Sequence, residues 1–225
     1  MKTYLPLLQK SSLFNGIGEE DIQKLCTCLS AREKTIPRET FVFHVEDRVT
    51  LVYLVLTGSM HIIDEDFWGN RSIIETLNAY TLFGEAYVLS KAEKHLVSVI
   101  AAEDSTILEI DPTRLFETCP KECSCHISLM QNTLQLLSKK IIRLTEKLGH
   151  ISKRTLHEKI MSYLSQSARQ AQSSSFDIPY SRQQLADYLC VDRSALSHEL
   201  SRLRNLGLIQ YRKNHFDLFL ESAAK

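Results

Sequence analysis

Apolar positions along the chain repeat at two different periods, and the change of period divides the sequence into three parts. In the first part, Ile22, Leu25 and Leu29 follow a helical spacing. Six short β-branched and aromatic runs then alternate with turn residues, at positions 40–45, 51–56, 60–63, 72–77, 96–101 and 106–110. Many short strands at near-regular spacing predict an antiparallel β-sandwich or β-roll after the opening helices.

The second part is one long helix with apolar residues at alternating spacings of three and four. These seam residues are Ile127, Met130, Leu134, Leu137, Ile141, Leu144 and Leu148. A repeat of 3.5 residues over more than three heptads is typical of a two-chain coiled coil, whereas a core helix in a monomer carries a wider apolar stripe. We expect the seam to be a dimer interface, and the alternative is a helix buried within one chain.

The third part alternates helices with turns and ends in a predicted hairpin. An amphipathic helix around 156–164 is expected to give way to a polar loop over 166–175. Ser181 and Gln184 form a capping-box pattern, and Asp192 is expected to cap the following helix. The predicted buried stripe of that helix is Leu196, Leu200, Leu203 and Leu206. Two helices joined by a tight turn, then strands at 209–212 and 215–219, predict a winged helix-turn-helix.

A winged helix-turn-helix places its second helix in the major groove of DNA. If the leucine stripe faces the core, the opposite face presents Arg193, which is able to make a bidentate contact with guanine. The predicted DNA-binding residues are Arg182, Arg193, Ser194, Ser197, His198, Arg202, Arg212 and Lys213. The alternative is a helix-turn-helix that contacts protein.

The charge distribution supports a nucleic-acid partner for the second half of the 225-residue chain. Residues 1–120 carry 11 Lys and Arg against 18 Asp and Glu, whereas residues 121–225 carry 16 against 9. A basic half is expected to meet a polyanion, and chance clustering on solvated faces is the alternative. The longest apolar run, at 51–56, is far shorter than the ~20 residues that span a bilayer. The opening residues have no signal-peptide pattern, so the sequence predicts a cytoplasmic protein without a membrane partner.

No nucleophile elbow, P-loop, His-Glu-x-x-His or dinucleotide-binding glycine motif is present. We therefore expect no enzymatic activity and no catalytic residues.

Segment 182–200, RQQLADYLCVDRSALSHEL, resembles the helix-turn-helix of the Crp/Fnr family of bacterial transcription regulators. Gly58-Ser59, Gly69 and Phe83-Gly84-Glu85 resemble the glycine positions of that family's cyclic-nucleotide-binding β-roll, and the heptad helix stands where the family has its dimerisation helix. The resemblance implies an α+β fold with a cupin-like antiparallel β-roll, a long dimerisation helix and a winged helix-turn-helix. The implied domains are 1–120, 121–151 and 152–225, and the implied partners are a second copy, a palindromic double-stranded DNA operator and RNA polymerase.

The resemblance also implies an effector pocket in the roll. Its expected residues are Phe83, Gly84, Glu85, Ala86, Lys94, His95 and Leu96. In the cyclic-AMP-binding members, an Arg and then a Ser or Thr hold the phosphate, and His95 and Leu96 stand there in this chain. Lys94 lacks the planar fork of an arginine. We therefore expect an unknown small effector other than cyclic AMP.

The cysteines leave an alternative open. Cys119, Cys123 and Cys125 are clustered just before the long helix and are weak candidates for a metal or redox role. The competing interpretation is that they are incidental thiols. Cys190, in the turn of the helix-turn-helix, is expected to be a small core residue.

Overall fold

The structure is a computed structural model that describes residues 4–65, 68, 71–116 and 124–219. The chain forms two compact units that divide between Leu137 and Ser138. The helices are α1 (Leu5–Lys10), α2 (Glu19–Cys28), α3 (Glu85–Leu89), α4 (Pro112–Phe116), α5 (Ser124–Ile151), α6 (Leu156–Ala171), α7 (Arg182–Tyr188) and α8 (Arg193–Asn205). The strands are β1 (Arg32–Ile36), β2 (Phe41–Phe43), β3 (Val52–Thr57), β4 (Ser59–Glu65), β5 (Arg71–Asn78), β6 (Leu82–Phe83), β7 (Ser98–Ala101), β8 (Ser105–Ile110), β9 (Ser175–Asp177), β10 (Ile209–Arg212) and β11 (His215–Leu218).

The first unit is an antiparallel β-roll of two four-stranded sheets, in the orders β1-β8-β3-β6 and β2-β7-β4-β5. The uninterrupted apolar run 51–56 is explained by β3, which is buried on both faces. Its Val52, Leu54 and Leu56 pack with the N-terminal helices. Its Tyr53 and Val55 join the second cluster, which fills the interior of the roll.

All six predicted strands are confirmed, and the sequence patterns missed strands β1 and β6 and helices α1 and α4. Strand β1 was missed because its sequence, REKTI, buries only Ile36 and has no apolar alternation. Strand β6 has only two residues, and helix α1 is a single short segment with Pro6 near its start. These elements form because neighbouring parts of the chain pack against them, for example β8 alongside the whole of β1.

Helix α5 is as long as the heptad pattern requires. Its first half packs against the first unit through residues that do not belong to the seam. Leu129 and Thr133 are buried, and the Asn132 side-chain amide donates to the carbonyls of Leu13 at 3.0 Å and Asn15 at 2.8 Å. These contacts dock the start of α5 on the first unit without using the seam.

The second unit is a winged helix-turn-helix with a three-stranded sheet in the order β10-β11-β9. Its core joins α6, α7 and α8 to the sheet through side chains that are almost all apolar, including Leu164, Leu185, Leu200 and Phe216. Both predicted caps are confirmed: Ser181 and Gln184 form a complete capping box, and the Asp192 carboxylate accepts from the Ser194 backbone N–H at 3.0 Å.

Three predictions for this unit were wrong. Helix α6 continues to Ala171, so residues 166–171 are helical rather than a loop; residues 169–171 are exposed, and Ala168 packs against the core. Leu206 is exposed because α8 ends one residue earlier and the chain turns at Gly207, where Leu208 and Ile209 pack inward instead. Cys190 is also exposed, in a left-handed turn residue with φ of 53°, and Leu189 takes the core position.

Candidate DNA interface and sensor pocket

Helix α8 separates a buried face from an exposed one. Leu196, Leu200 and Leu203 are fully buried and anchor the helix in the core. The opposite face exposes four of the predicted DNA-binding residues, Arg193, Ser194, Ser197 and His198. Asp192 precedes the helix and accepts a hydrogen bond from the Ser194 backbone N–H. This cap fixes the first turn of α8 and leaves the side chains of that turn exposed to solvent.

The basic residues beside α8 fall into two groups. Arg212 and Lys213 are exposed at the β10–β11 turn, where Lys213 has a φ of 56°. Arg182 is half-buried, with its guanidinium 5.0 Å from the Tyr211 ring centroid and 5.8 Å from that of Phe216. Packing against the wing thus occupies one face of the Arg182 guanidinium, whereas the turn residues are open.

The predicted effector residues lie at very different depths. Phe83, Glu85 and His95 are buried, whereas Ala86, Lys94 and Leu96 are exposed. Leu96 exposes 72% of its surface, and Lys94 forms an ion pair with Glu46. The structure therefore brings together only half of the predicted pocket.

Gly84 lies at the start of α3 and has a positive φ of 82°, which disfavours any residue with a Cβ. An added Cβ would lie 3.2 Å from the Leu51 carbonyl oxygen and 3.2 Å from the Tyr53 ring. The glycine therefore lets the backbone turn closely over β3 and place Glu85 inside the roll.

His95 is packed among aromatic rings that the sequence patterns did not single out. Its imidazole stacks on Phe43 with ring centroids 3.7 Å apart and meets the edge of Tyr87 at 4.9 Å. Burial lowers the pKa of His95 below its ordinary value of 6.5, so the ring is neutral near pH 7. Within the described part of the chain, its Nδ1 has no hydrogen-bond partner. The position is therefore an uncharged aromatic ring with one buried nitrogen that has no partner among the described residues.

The seam of α5 is open along most of its length in the single chain. Side chains that expose 57–64% of their surface are Ile127, Leu134, Ile141, Leu144 and Leu148. Met130 and Leu137 are half-buried. Several large apolar side chains in one line on one helix form the kind of surface that is normally covered by a partner.

Cys119 and Cys123 lie outside the described residues, so Cys125 is the member of the predicted cysteine cluster that the structure describes. Gly69, one of the glycines of the family resemblance, also lies outside the described residues. Cys125, Cys28 and the buried His126 line a cavity of about 240 Å³ between α2 and α5. Among residues 4–65, 68, 71–116 and 124–219, no three His, Cys, Asp or Glu side chains are placed to hold a metal ion. Cys26 is buried nearby, and this burial raises the pKa of its thiol to about 11.

A β-roll, a helix with a heptad seam and a winged helix-turn-helix together define a class of transcription regulators. The model of the cyclic nucleotide-binding domain matches residues 33–122, and that of the Crp-like helix-turn-helix domain matches residues 158–220. The chain belongs to the Crp/Fnr family of transcription regulators, whose members are DNA-binding proteins rather than enzymes. Within the described ranges, no helix is both long and apolar enough to cross a bilayer.

Individual relatives show the same organisation. The chain is 27% identical over 207 residues to the transcriptional regulatory protein btr of Bordetella pertussis, covering 87% of this chain and 80% of the relative. It resembles the solved structure of the c-di-GMP-responsive global regulator CLP of Xanthomonas campestris, with a TM-score of 0.58 and 20% identity over 90% of this chain and 100% of that one. The catabolite activator protein of Thermus thermophilus has a TM-score of 0.50 and 18% identity, over 93% and 94% of the two chains. Both structural likenesses support the fold.

Proposed function

We propose that the chain is a homodimeric regulator that binds a palindromic operator and changes its DNA affinity with a small effector in the β-roll. The observation that carries this proposal is the exposed first turn of α8, where Arg193 and its neighbours stand on a helix fixed by its leucine face. Two such helices, about 34 Å apart, would contact successive major grooves on one side of the DNA. Acting in the cytoplasm, the dimer would control RNA polymerase at the promoters it binds.

The proposed dimer interface is the seam of α5. Five of its large apolar side chains expose more than half of their surface, and a coiled coil with a second copy would bury them. The remaining polar side chains of α5, such as Gln131, Gln135 and Lys139, then stay in solvent. The proposed interface consists of α5 alone.

The proposed effector is neutral or largely apolar rather than a cyclic phosphate. A cyclic phosphate needs charged or hydroxyl donors, and the two residues at that position are a neutral, ring-stacked His95 and an exposed Leu96. The missing hydrogen bond and the missing bidentate arginine each weaken the complex by about 1–3 kcal/mol. Cyclic AMP should therefore bind roughly 10²–10⁴-fold more weakly than to a complete pocket. Calorimetry that gives micromolar or tighter affinity for cyclic AMP would overturn this part of the proposal.

A second candidate regulation is a thiol response at Cys125, favoured by the cavity that it shares with Cys28 and the buried His126. Peroxide treatment followed by mass spectrometry of the cysteine peptides tests it. Oxidation of Cys125 that changes operator affinity supports the response, and unchanged affinity of the oxidised protein contradicts it.

Genomic fragment selection with the full-length protein, followed by footprinting, tests the central proposal. We expect protected sites with two-fold symmetry and half-sites one helical turn apart. Sites without symmetry, or no selected fragments in the presence of cell extract as an effector source, would contradict it.

A further inference from the structure

The side of α8 that faces α6 carries a polar cluster that the DNA-binding prediction did not include. The Glu199 carboxylate accepts from Arg202 Nε at 2.8 Å and from Arg202 Nη2 at 2.7 Å, one bond to each oxygen. The same carboxylate lies 3.2 Å from Nδ1 of His157, which is on α6. A single carboxylate thus connects the recognition helix to the helix behind it.

Arg202 is committed to this cluster. Its guanidinium makes a two-point contact with a carboxylate that is only 13% exposed. These hydrogen bonds lower the pKa of Glu199 and raise that of Arg202, so both groups stay charged together. A bidentate, charge-assisted pair of this kind fixes the side chain more firmly than an exposed ion pair does.

His157 gives the cluster two arrangements. Its Nδ1 lies 3.1 Å from Arg202 Nη2 and 3.2 Å from Glu199 Oε1, although one nitrogen atom either accepts or donates. An unprotonated Nδ1 accepts from Arg202, and a protonated Nδ1 donates to Glu199. The hydrogen on Nδ1 therefore decides the partner: the Nε2–H tautomer joins His157 to Arg202, and a ring with Nδ1–H joins it to Glu199.

The hydrogen-bond partner of His157 depends mainly on Glu199 and Arg202, because its other neighbours are apolar, uncharged or of opposite charges. The cavity that His157 lines also contains Lys153 and Glu158, which carry opposite charges, and Ser162 and Ser165 from α6. The side chains that the wing contributes there are apolar: Leu208, Leu218 and Phe219. Glu199 and Arg202 are the charged groups on α8 within hydrogen-bonding distance of His157.

We propose that Glu199 is a positioning residue for the recognition helix, which ties α8 to α6 through His157 and holds Arg202 away from the DNA phosphates. The inference rests on the proposed DNA-binding function and revises one of its predicted contacts. Either form of the His157 ring joins α6 to this pair, through Arg202 or through Glu199. The spacing of three residues between Glu199 and Arg202 on one helix indicates their ion pair in the sequence. No sequence pattern indicated His157, because it comes from a different helix.

The first test measures how operator affinity depends on salt, by fluorescence anisotropy with the full-length protein and a selected operator. Each phosphate contact contributes about one unit to the slope of log affinity against log salt. We expect Arg202→Ala to leave the slope unchanged and Lys213→Ala, the matched control, to lower it by about one per half-site. A slope that falls equally in both variants would overturn the proposal.

The second test measures the operator affinity of His157→Gln, of Glu199→Gln and of the double variant. We expect His157→Gln to weaken binding about threefold in the wild type and to add nothing in the Glu199→Gln background, because the tie between α6 and α8 is already lost there. Glu199→Gln should weaken every operator by about tenfold without changing base preference. Wild-type affinity of a His157→Gln variant that is folded by circular dichroism, or additive losses in the double variant, would overturn the proposal. A wild-type protein that binds no operator would instead remove the proposed function itself.

Discussion

The recognition helix and the interior of the β-roll arrange their functional residues in opposite ways. On α8, Arg193 and His198 are exposed while leucines on the other face hold the helix in the core. In the roll, His95 and Phe83 are themselves core residues that stack on Phe43 and Tyr53. The side chains proposed to bind are therefore separate from the core in the helix-turn-helix, and they are part of the core in the roll.

This difference sets what mutations are expected to do. Substitutions on exposed functional surfaces should change binding while leaving the fold intact, because surface changes away from caps and cores are usually within ±0.5 kcal/mol of neutral. Substitutions inside the roll should change both together. The predictions below test this separation, from the largest expected effect to the smallest.

The largest effect is expected on the exposed seam of α5. Leu137→Glu with Ile141→Glu would bury like charges across a coiled coil, so the protein should become a monomer. Operator affinity should fall about 100-fold or more, since a single recognition helix loses the second half-site. Sedimentation velocity and gel shift measure the two changes.

The matched control for the seam is Gln135→Glu with Lys139→Glu, which adds the same number of acidic residues on exposed positions off the seam. This variant should remain dimeric, and circular dichroism should show the same helix content in both. A monomeric wild-type protein at micromolar concentration would contradict the seam as the interface.

A smaller effect, on stability alone, is expected at the β3–β4 turn of the roll. Gly58 has a φ of 80°, and a Cβ there would lie 2.8 Å from the Asp104 carbonyl oxygen. Gly58→Ala should lower the free energy of unfolding by about 2–4 kcal/mol, from backbone strain and the clash with β8. Gly16→Ala is the control, since Gly16 has a similar φ of 74° with open space around it. Equal losses in urea unfolding would show that strain alone is responsible.

The smallest effect is expected from two buried histidines, one in each unit. Burial lowers the pKa of both His95 and His150 in the folded protein below the ordinary value of 6.5. As the pH falls through about 6.5, the unfolded chain takes up protons first, so stability that is complete above about pH 7.5 is lost below 6.5. Urea midpoints at pH 8, 7, 6 and 5.5 measure the loss. His95→Gln and His150→Gln should each flatten the profile, and midpoints that rise toward acid would contradict it.

The sequence predicted the two regions unequally, for a physical reason. On a helix, a period of 3.6 residues assigns each side chain to a face, so the exposed set on α8 and the buried Leu196, Leu200 and Leu203 followed from spacing. The helical spacing predicted a buried Leu206, but α8 ends at Asn205 and Leu206 is exposed. The open seam of α5 was predicted from the heptad for the same reason.

In the roll, the depth of a side chain depends on strands that are distant in sequence. Phe43 and Tyr87 come from two separate elements, and no local period indicated that they would pack against His95. Adjacent residues even point to different surroundings: His95 exposes 1% of its surface and Leu96 72%. The cluster of His157, Glu199 and Arg202 was missed likewise, because α6 and α8 are brought together only by the packed core.

Base preference of an Arg193→Ala variant tests the central claim most directly, namely that the exposed first turn of α8 reads DNA sequence. Gel shifts would use the selected operator with each half-site base pair changed in turn, for wild type, Arg193→Ala and Lys213→Ala. We predict that Arg193→Ala costs about 1–3 kcal/mol on the best operator and removes the preference at one base pair. Lys213→Ala should weaken all operators about evenly. If Arg193→Ala also weakens every operator equally, Arg193 contacts only phosphate and the recognition role of α8 is contradicted.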